Sequence, residues 1–216
     1  MKLLSIILFI PAILFAQQDP KAKEVLDLYA AKHKSITTYK TEFTINTENK
    51  QDSTKSTSKG SLTVKGKMYK LILPSGEIIT DGQSMWNYLK DANEVNITKA
   101  GKPKKSREFS ITDPTEIFTL YQKDFKYRYI NQIMFRGKEC HEIDLYPKDL
   151  NTEYFRIKLF IDKLKNEMIA IRYYSKDGII HEIIFTNLQT GQAFDIKEFQ
   201  YDPKTHPGAE VNDMRF

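Results

Sequence analysis

The chain has one cysteine, Cys140, in 216 residues. An intramolecular disulfide is therefore impossible, and the fold must hold through its own core. Glycine is sparse, at 9 residues, and nowhere forms a phosphate-cradling loop. Beyond the first few residues no run is long and apolar enough to cross a bilayer. Neither sign of charge dominates: 33 Lys and Arg against 28 Asp and Glu leave a net +5, spread along the chain. That balance argues against nucleic acid as a partner and favours only mildly an anionic membrane surface. The 4 histidines supply no metal site. His141-Glu142 and His181-Glu182 sit on predicted strands, where adjacent side chains face opposite ways and cannot converge on one ion. Cys140-His141 fails as a nucleophile–base dyad for the same reason. No serine has a nucleophile-elbow context, and the carboxylates are scattered. Nothing in the sequence supports catalysis, a metal or a cofactor.

What is present starts with a targeting segment. Met1-Lys2 gives a positive start, Leu3 to Phe15 is apolar, and Ala16 is a small residue before Gln17. This reads as a secretory signal peptide, residues 1–16, with one domain over residues 17–216. Leu14, at the −3 position, is larger than such sites prefer. With no cysteine at the cleavage site, the chain is not expected to be a lipoprotein itself. Asp19-Pro20 then opens an amphipathic helix to Lys34, with Ala22, Val25, Leu26 and Tyr29 on its apolar stripe.

From Tyr39 the pattern is β. A strand to Glu48 carries Phe43 and Ile45 on one face. Asn49 to Ser58 is polar and reads as a hairpin loop. Strands follow at Gly60 to Val64 and Met68 to Leu73, joined by the turn Lys65-Gly66-Lys67. Turn signals recur at the spacing of an antiparallel sheet or barrel. Lys99 to Arg107 is a basic loop, read as a solvated excursion, the alternative being a docking surface for an acidic partner or lipid headgroups. Asp113-Pro114-Thr115-Glu116 starts a short helix bearing Ile117, Phe118, Leu120 and Tyr121. So few turns cannot bury that surface alone, which places the helix over an apolar opening. Five more strands run from Lys126 to Asn187, one of them alternating Phe155, Ile157, Leu159 and Ile161 with Arg156, Lys158 and Asp162. A tail from Phe194 wraps the sheet edge. The total is about 11 strands. Pattern alone leaves two interiors open: one filled by side chains, and one hollow, with the helices as a lid.

The only Trp lies in Thr80-Asp81-Gly82-Gln83-Ser84-Met85-Trp86-Asn87-Tyr88, where Asp81-Gly82 suits a tight turn. This stretch, the preceding Gly60-Ser61-Leu62-Thr63-Val64-Lys65, the later Asp177-Gly178-Ile179-Ile180-His181 and the closing Pro207-Gly208-Ala209-Glu210-Val211 to Arg215 follow the order of the periplasmic outer-membrane lipoprotein carrier family, LolA, which the mature chain resembles nearly throughout. The resemblance implies a mainly β fold: an incomplete antiparallel β-barrel with an N-terminal helix and a short helical lid over an apolar cavity. It implies a periplasmic chaperone, a monomer without enzymatic activity, that takes acylated lipoproteins from an inner-membrane ABC transporter and passes them to an outer-membrane acceptor. Each CH₂ kept from water is worth about 0.8 kcal/mol, so free acylated protein would aggregate or reinsert. On this reading Phe43, Leu62, Val64, Tyr69, Leu71, Leu73, Trp86 and Tyr88 line the cavity, and Ile117, Phe118, Leu120 and Tyr121 form the lid. Many members of that family have a lid-latching arginine after the Val-Lys of the second strand; this chain has Gly66. The competing expectation is a related lipid-binding barrel that senses envelope lipids or proteins in signalling.

Overall fold

The computed structural model describes residues 18–101, 121 and 124–215. Among these residues the one long helix, α1 (Pro20–Ser35), is started by Asp19, whose side chain accepts from the backbone N–H groups of Lys21 and Ala22, with Pro20 in the first turn. Ala22, Val25, Leu26 and Tyr29 are the residues α1 buries.

Twelve strands form one sheet: β1 (Thr38–Asn49), β2 (Lys55–Lys65), β3 (Met68–Leu73), β4 (Gly76–Thr80), β5 (Ser84–Leu89), β6 (Glu94–Lys99), β7 (Phe125–Phe135), β8 (Lys138–Pro147), β9 (Tyr154–Asp162), β10 (Met168–Ser175), β11 (Ile179–Thr190) and β12 (Glu210–Asp213). Their spatial order is β12-β6-β5-β4-β3-β2-β1-β11-β10-β9-β8-β7. All neighbours are antiparallel except β12, which pairs parallel to β6. The tail that was expected to wrap the edge thus extends the sheet by a strand.

One apolar cluster joins α1 to β1–β4 and to β7–β11. Side chains as far apart in strand order as Ile78 and Tyr127 meet in it, so the sheet curves around the helix. We call this side of the sheet inner. At the β7 edge the ladder is continued by side chains. Gln18 donates to Phe125 O and accepts from Tyr127 N, and Asp19 Oδ2 accepts from Tyr129 N at 2.9 Å. These bonds occupy backbone groups that an open edge would offer to another chain.

Two expectations change. The polar stretch after β1 is a five-residue turn rather than a long loop, because β2 begins at Lys55 and pairs back to Glu48. Ser and Thr pairs across that hairpin suit a strand exposed on both faces, and Thr57 donates to Asn46 across it. On β9, Ile157, Leu159 and Ile161 face inward, but Tyr154 takes the next inward place and Phe155 is 50% exposed. A register shift opposite Tyr174 and Ser175 moves the alternation by one residue.

Candidate functional site

The inner side ends in a cleft of about 230 Å³ at the C-terminal end of α1. Tyr29 and His33 of α1, Tyr39 and Thr41 of β1, Leu62 of β2, Met168 at the start of β10, and Phe185 and Leu188 of β11 line it, with Lys165 and Glu167 at its rim. A β-bulge makes room for it. Pairing jumps from Lys40–Gln189 to Glu42–Thr186, leaving Asn187 and Leu188 both opposite Thr41. Asn187 takes φ 52°, and Thr41 Oγ1 donates to Thr186 O at 2.9 Å. The cleft runs from fully buried Tyr29 to exposed Lys165.

Polar side chains line it as well, Lys138, Thr186 and Asn187 among them. The rings of Tyr29 and His33 lie 4.4 Å apart. Burial, helped by the neighbouring Lys32 charge, pulls the His33 pKa down to about 4, so the imidazole is neutral at pH 7. Burial also raises the Tyr29 phenol well above its ordinary value. Lys32 donates to Lys165 O and pairs with Glu167 at 2.8 Å, tying the end of α1 to the β9–β10 turn.

Of the residues expected at a cavity, Phe43, Leu62, Val64, Tyr69 and Leu71 are buried in the cluster around α1, and Leu73 packs against it. Leu62 alone among them reaches the cleft. The Phe43 ring lies over Gly60, where an added Cβ would come within 2.5 Å of it. Trp86 and Tyr88 lie on the other side of the sheet. Residues directly opposite across an antiparallel pair share a face. Leu71 pairs with Ile78 and Ile78 with Asn87, while Trp86 pairs with Ile79 and Tyr88 with Glu77. Met85, Asn87 and Leu89 therefore take the inner face of β5.

Of the residues expected in a lid, Ile117, Phe118 and Leu120 lie outside the described residues, as does most of the basic loop. Tyr121 is buried at the middle of α1, donating from its hydroxyl to Asp27 Oδ1 at 3.0 Å, with its ring edge-on to Tyr127. Gly66, at the place of the family's arginine, is a turn residue at φ 60°, and an added Cβ there would meet open space. The sequence reading missed Tyr39, Met168, Phe185 and Leu188 as cleft residues. The bulge that gathers them has no turn dipeptide to announce it; Asn187 in a strand pattern is its one local trace.

Among the described residues no cluster of His, Cys, Asp and Glu could hold a metal ion, and no helix is long and apolar enough to cross a membrane. A family model described as "Uncharacterized protein" matches residues 64–198. The chain belongs to that family. A search of the curated proteins gives no match. Among solved structures, an uncharacterized conserved protein from Thermus thermophilus aligns at 12% identity with a TM-score of 0.54, over 89% of this chain and 99% of that one. The two share a fold. A LolA superfamily protein from Nitrosomonas europaea aligns at 10% identity and a TM-score of 0.44, over 83% and 97% of the two chains. LprF from Mycobacterium bovis aligns at 12% and 0.47, over 83% and 97%.

Proposed function

We propose that this protein is a periplasmic carrier that holds the acyl chains of lipoproteins on the inner side of its curved sheet and moves them from the inner to the outer membrane. The observation that carries the reading is the apolar cluster between α1 and the sheet, which runs out to the surface as the cleft at the end of the helix. An acyl chain can enter such a site without covalent chemistry, gaining about 0.8 kcal/mol for each CH₂ removed from water. The cleft holds only the first part of a chain, and α1 tilts to admit the rest. Phe185 and Leu188 make the first contacts, Leu62 and Phe43 the deeper ones. The sequence resemblance supplies the partners: an inner-membrane ABC transporter that releases the cargo, and an outer-membrane acceptor.

The test is binding of a fluorescent fatty acid to the purified protein, followed by mass spectrometry of lipid captured by a photo-crosslinker at Leu188. Saturable binding that Leu188→Glu weakens about tenfold or more is the expected result. Leu188 is only partly buried, so that variant keeps its fold. Absence of saturable binding would sink the carrier reading; full binding by the variant would move the site away from the cleft.

A further inference from the structure

The cleft opens at one end of the sheet, and that end differs from the other in charge and in what it exposes. The end of α1, the β2–β3 turn, the β7–β8 turn and the β9–β10 turn lie together there. They carry Lys34, Lys67, Arg136, Lys138, Lys163 and Lys165 and fewer carboxylates, of which Glu139 pairs with Lys163 at 2.9 Å and Asp162 with Lys138 at 3.8 Å. The turns at the opposite end mix lysines with Glu48, Asp52, Asp91, Asp149 and Asp177 and hold no excess of base.

At the tip of the basic end, Leu164 is 87% exposed and Met134 is 67% exposed. Leu164 is held there by a rigid turn. Asp162 Oδ1 accepts from Leu164 N at 2.9 Å and Lys165 N at 2.8 Å, and Asn166 N donates to Asp162 O. The neighbouring turn is bound to this one through Lys163 N, which donates to Glu139 O at 2.9 Å. A leucine fixed in water between two lysines gives the fold nothing. In the interface of an anionic bilayer both kinds of side chain are favoured: the leucine buries apolar area, and each cation near the surface contributes electrostatically.

The geometry points to this end as a membrane-docking surface, with Leu164 inserting among the acyl chains of an anionic leaflet while Lys163, Lys165 and Arg136 meet its headgroups. Docked this way, the cleft rim at Lys165 faces the bilayer. The surface rests on the carrier reading for its purpose, since it says where cargo is taken up, but its test does not depend on cargo.

That test is vesicle flotation, with the protein expressed from the full-length chain and purified. Vesicles of phosphatidylcholine alone are compared with vesicles of equal parts phosphatidylcholine and phosphatidylglycerol. The expected result is binding to the anionic vesicles only, reversed by high salt. Leu164→Asp should lower it about tenfold, and each of Lys163→Gln and Lys165→Gln about fivefold. Leu150, 78% exposed at the opposite end, is the control: Leu150→Asp should change nothing. Equal loss from Leu150→Asp, or no preference for anionic vesicles, would overturn the docking surface. Fatty-acid binding in vesicle-free buffer separates the two readings. If it persists in a protein that ignores vesicles, docking alone fails. If it is absent in a protein that floats with anionic vesicles, only the carrier reading fails.

Discussion

On the inner side of the sheet, burial is apolar and shared. Leu71, Ile143, Ile157, Ile161 and Ile171 are nearly inaccessible and pack in one cluster with α1. Among the described residues the outer side has no α-helix over it and buries its residues piecemeal. Over β8–β11 it combines charge with a small apolar cluster of Cys140, Phe160, Ile169, Ala170 and Ile184. Lys158, itself buried, pairs with Glu142 and with Asp144 at 3.1 Å; Arg156 pairs with Asp144 at 3.5 Å; and Arg172 pairs with Glu182. Over β4–β6 it uses the C-terminal tail, with Phe199 fully buried in a 3-10 turn that packs on β3 and His206 against Tyr88. The same strands thus hold one large apolar continuum with α1 on one side and separate charged, aromatic and small apolar patches on the other. An apolar continuum can re-form around a guest, because its contacts are non-directional. A set of paired charges cannot, because each partner left alone is costly. The difference favours the inner side as the place where a ligand is accommodated.

The sharpest way to break this contrast is to remove Lys158. Burial works against its charge, but the carboxylates of Glu142 and Asp144 outweigh that and raise its pKa. Lys158→Ala leaves buried Glu142 without its cation and Asp144 with Arg156 alone. Denaturant unfolding should show a loss of about 3–5 kcal/mol, the range for breaking a buried pair. A loss below about 1 kcal/mol would mean that water screens the outer face as it does an ordinary surface pair.

Next in size is the inner side's response to acid. His33 titrates near 6.5 when unfolded and at about 4 when folded. Between those values the unfolded chain takes up a proton that the folded chain refuses, so stability falls as pH drops from 6.5 to 4 and then levels off. By pH 4.5 the loss from this group is on the order of 2–3 kcal/mol. Burial lowers His141 and His181 as well, which adds to the trend. Unfolding at pH 7 and pH 4.5, for the parent and for His33→Gln, measures the His33 share; an identical pH dependence in both would remove it.

A smaller effect tests how α1 is seated. Partial burial opposes ionisation of Asp19, but the N–H groups of Ala22, Tyr129 and Lys21 donate to its carboxylate and hold its pKa below the usual value. Asp19→Ala removes both the helix cap and a bond to the β7 edge, a loss of about 2 kcal/mol. Asp19→Asn, which can still accept, should recover more than half of that in thermal unfolding.

Much of this architecture was legible in the residues. The helix stripe and cap, most strands and nearly all turns follow from period and punctuation, and Leu62, Val64, Tyr69 and Leu71 share one face as alternation requires. What misled was the aromatic hairpin. Met85 and Leu89 compete with Trp86 and Tyr88 for the interior, alternation does not settle the face, and the family resemblance places the aromatics inside. The register decides otherwise, because Ile78 and Ile79 are both buried, on opposite sides of β4. On the outer side Ile79 has Lys70 and Trp86 as neighbours, and a tail more than 100 residues away in sequence packs on β3 and on Tyr88. The bulge at Asn187 is equally non-local: it exists only when β1 and β11 are paired.

The smallest predicted effect concerns that cover. The rings of Tyr88 and His206 are 3.7 Å apart, and Tyr201 stacks on His206 from 5.7 Å. Beyond them the tail is held by the four residues of β12 and by Arg215, which donates to Ser84 Oγ at 3.1 Å. Tyr88→Ala deletes one side of the aromatic contact and should cost about 1 kcal/mol. If the outer side is a set of independent patches, the damage stays local. Hydrogen exchange at the amides of Glu210, Asn212 and Met214 should then speed up several-fold, while the amides of α1 and β10 keep their protection. Faster exchange throughout α1 would show the two sides of the sheet to be one cooperative unit, and would remove the argument that the inner side can rearrange around a ligand while the outer side holds.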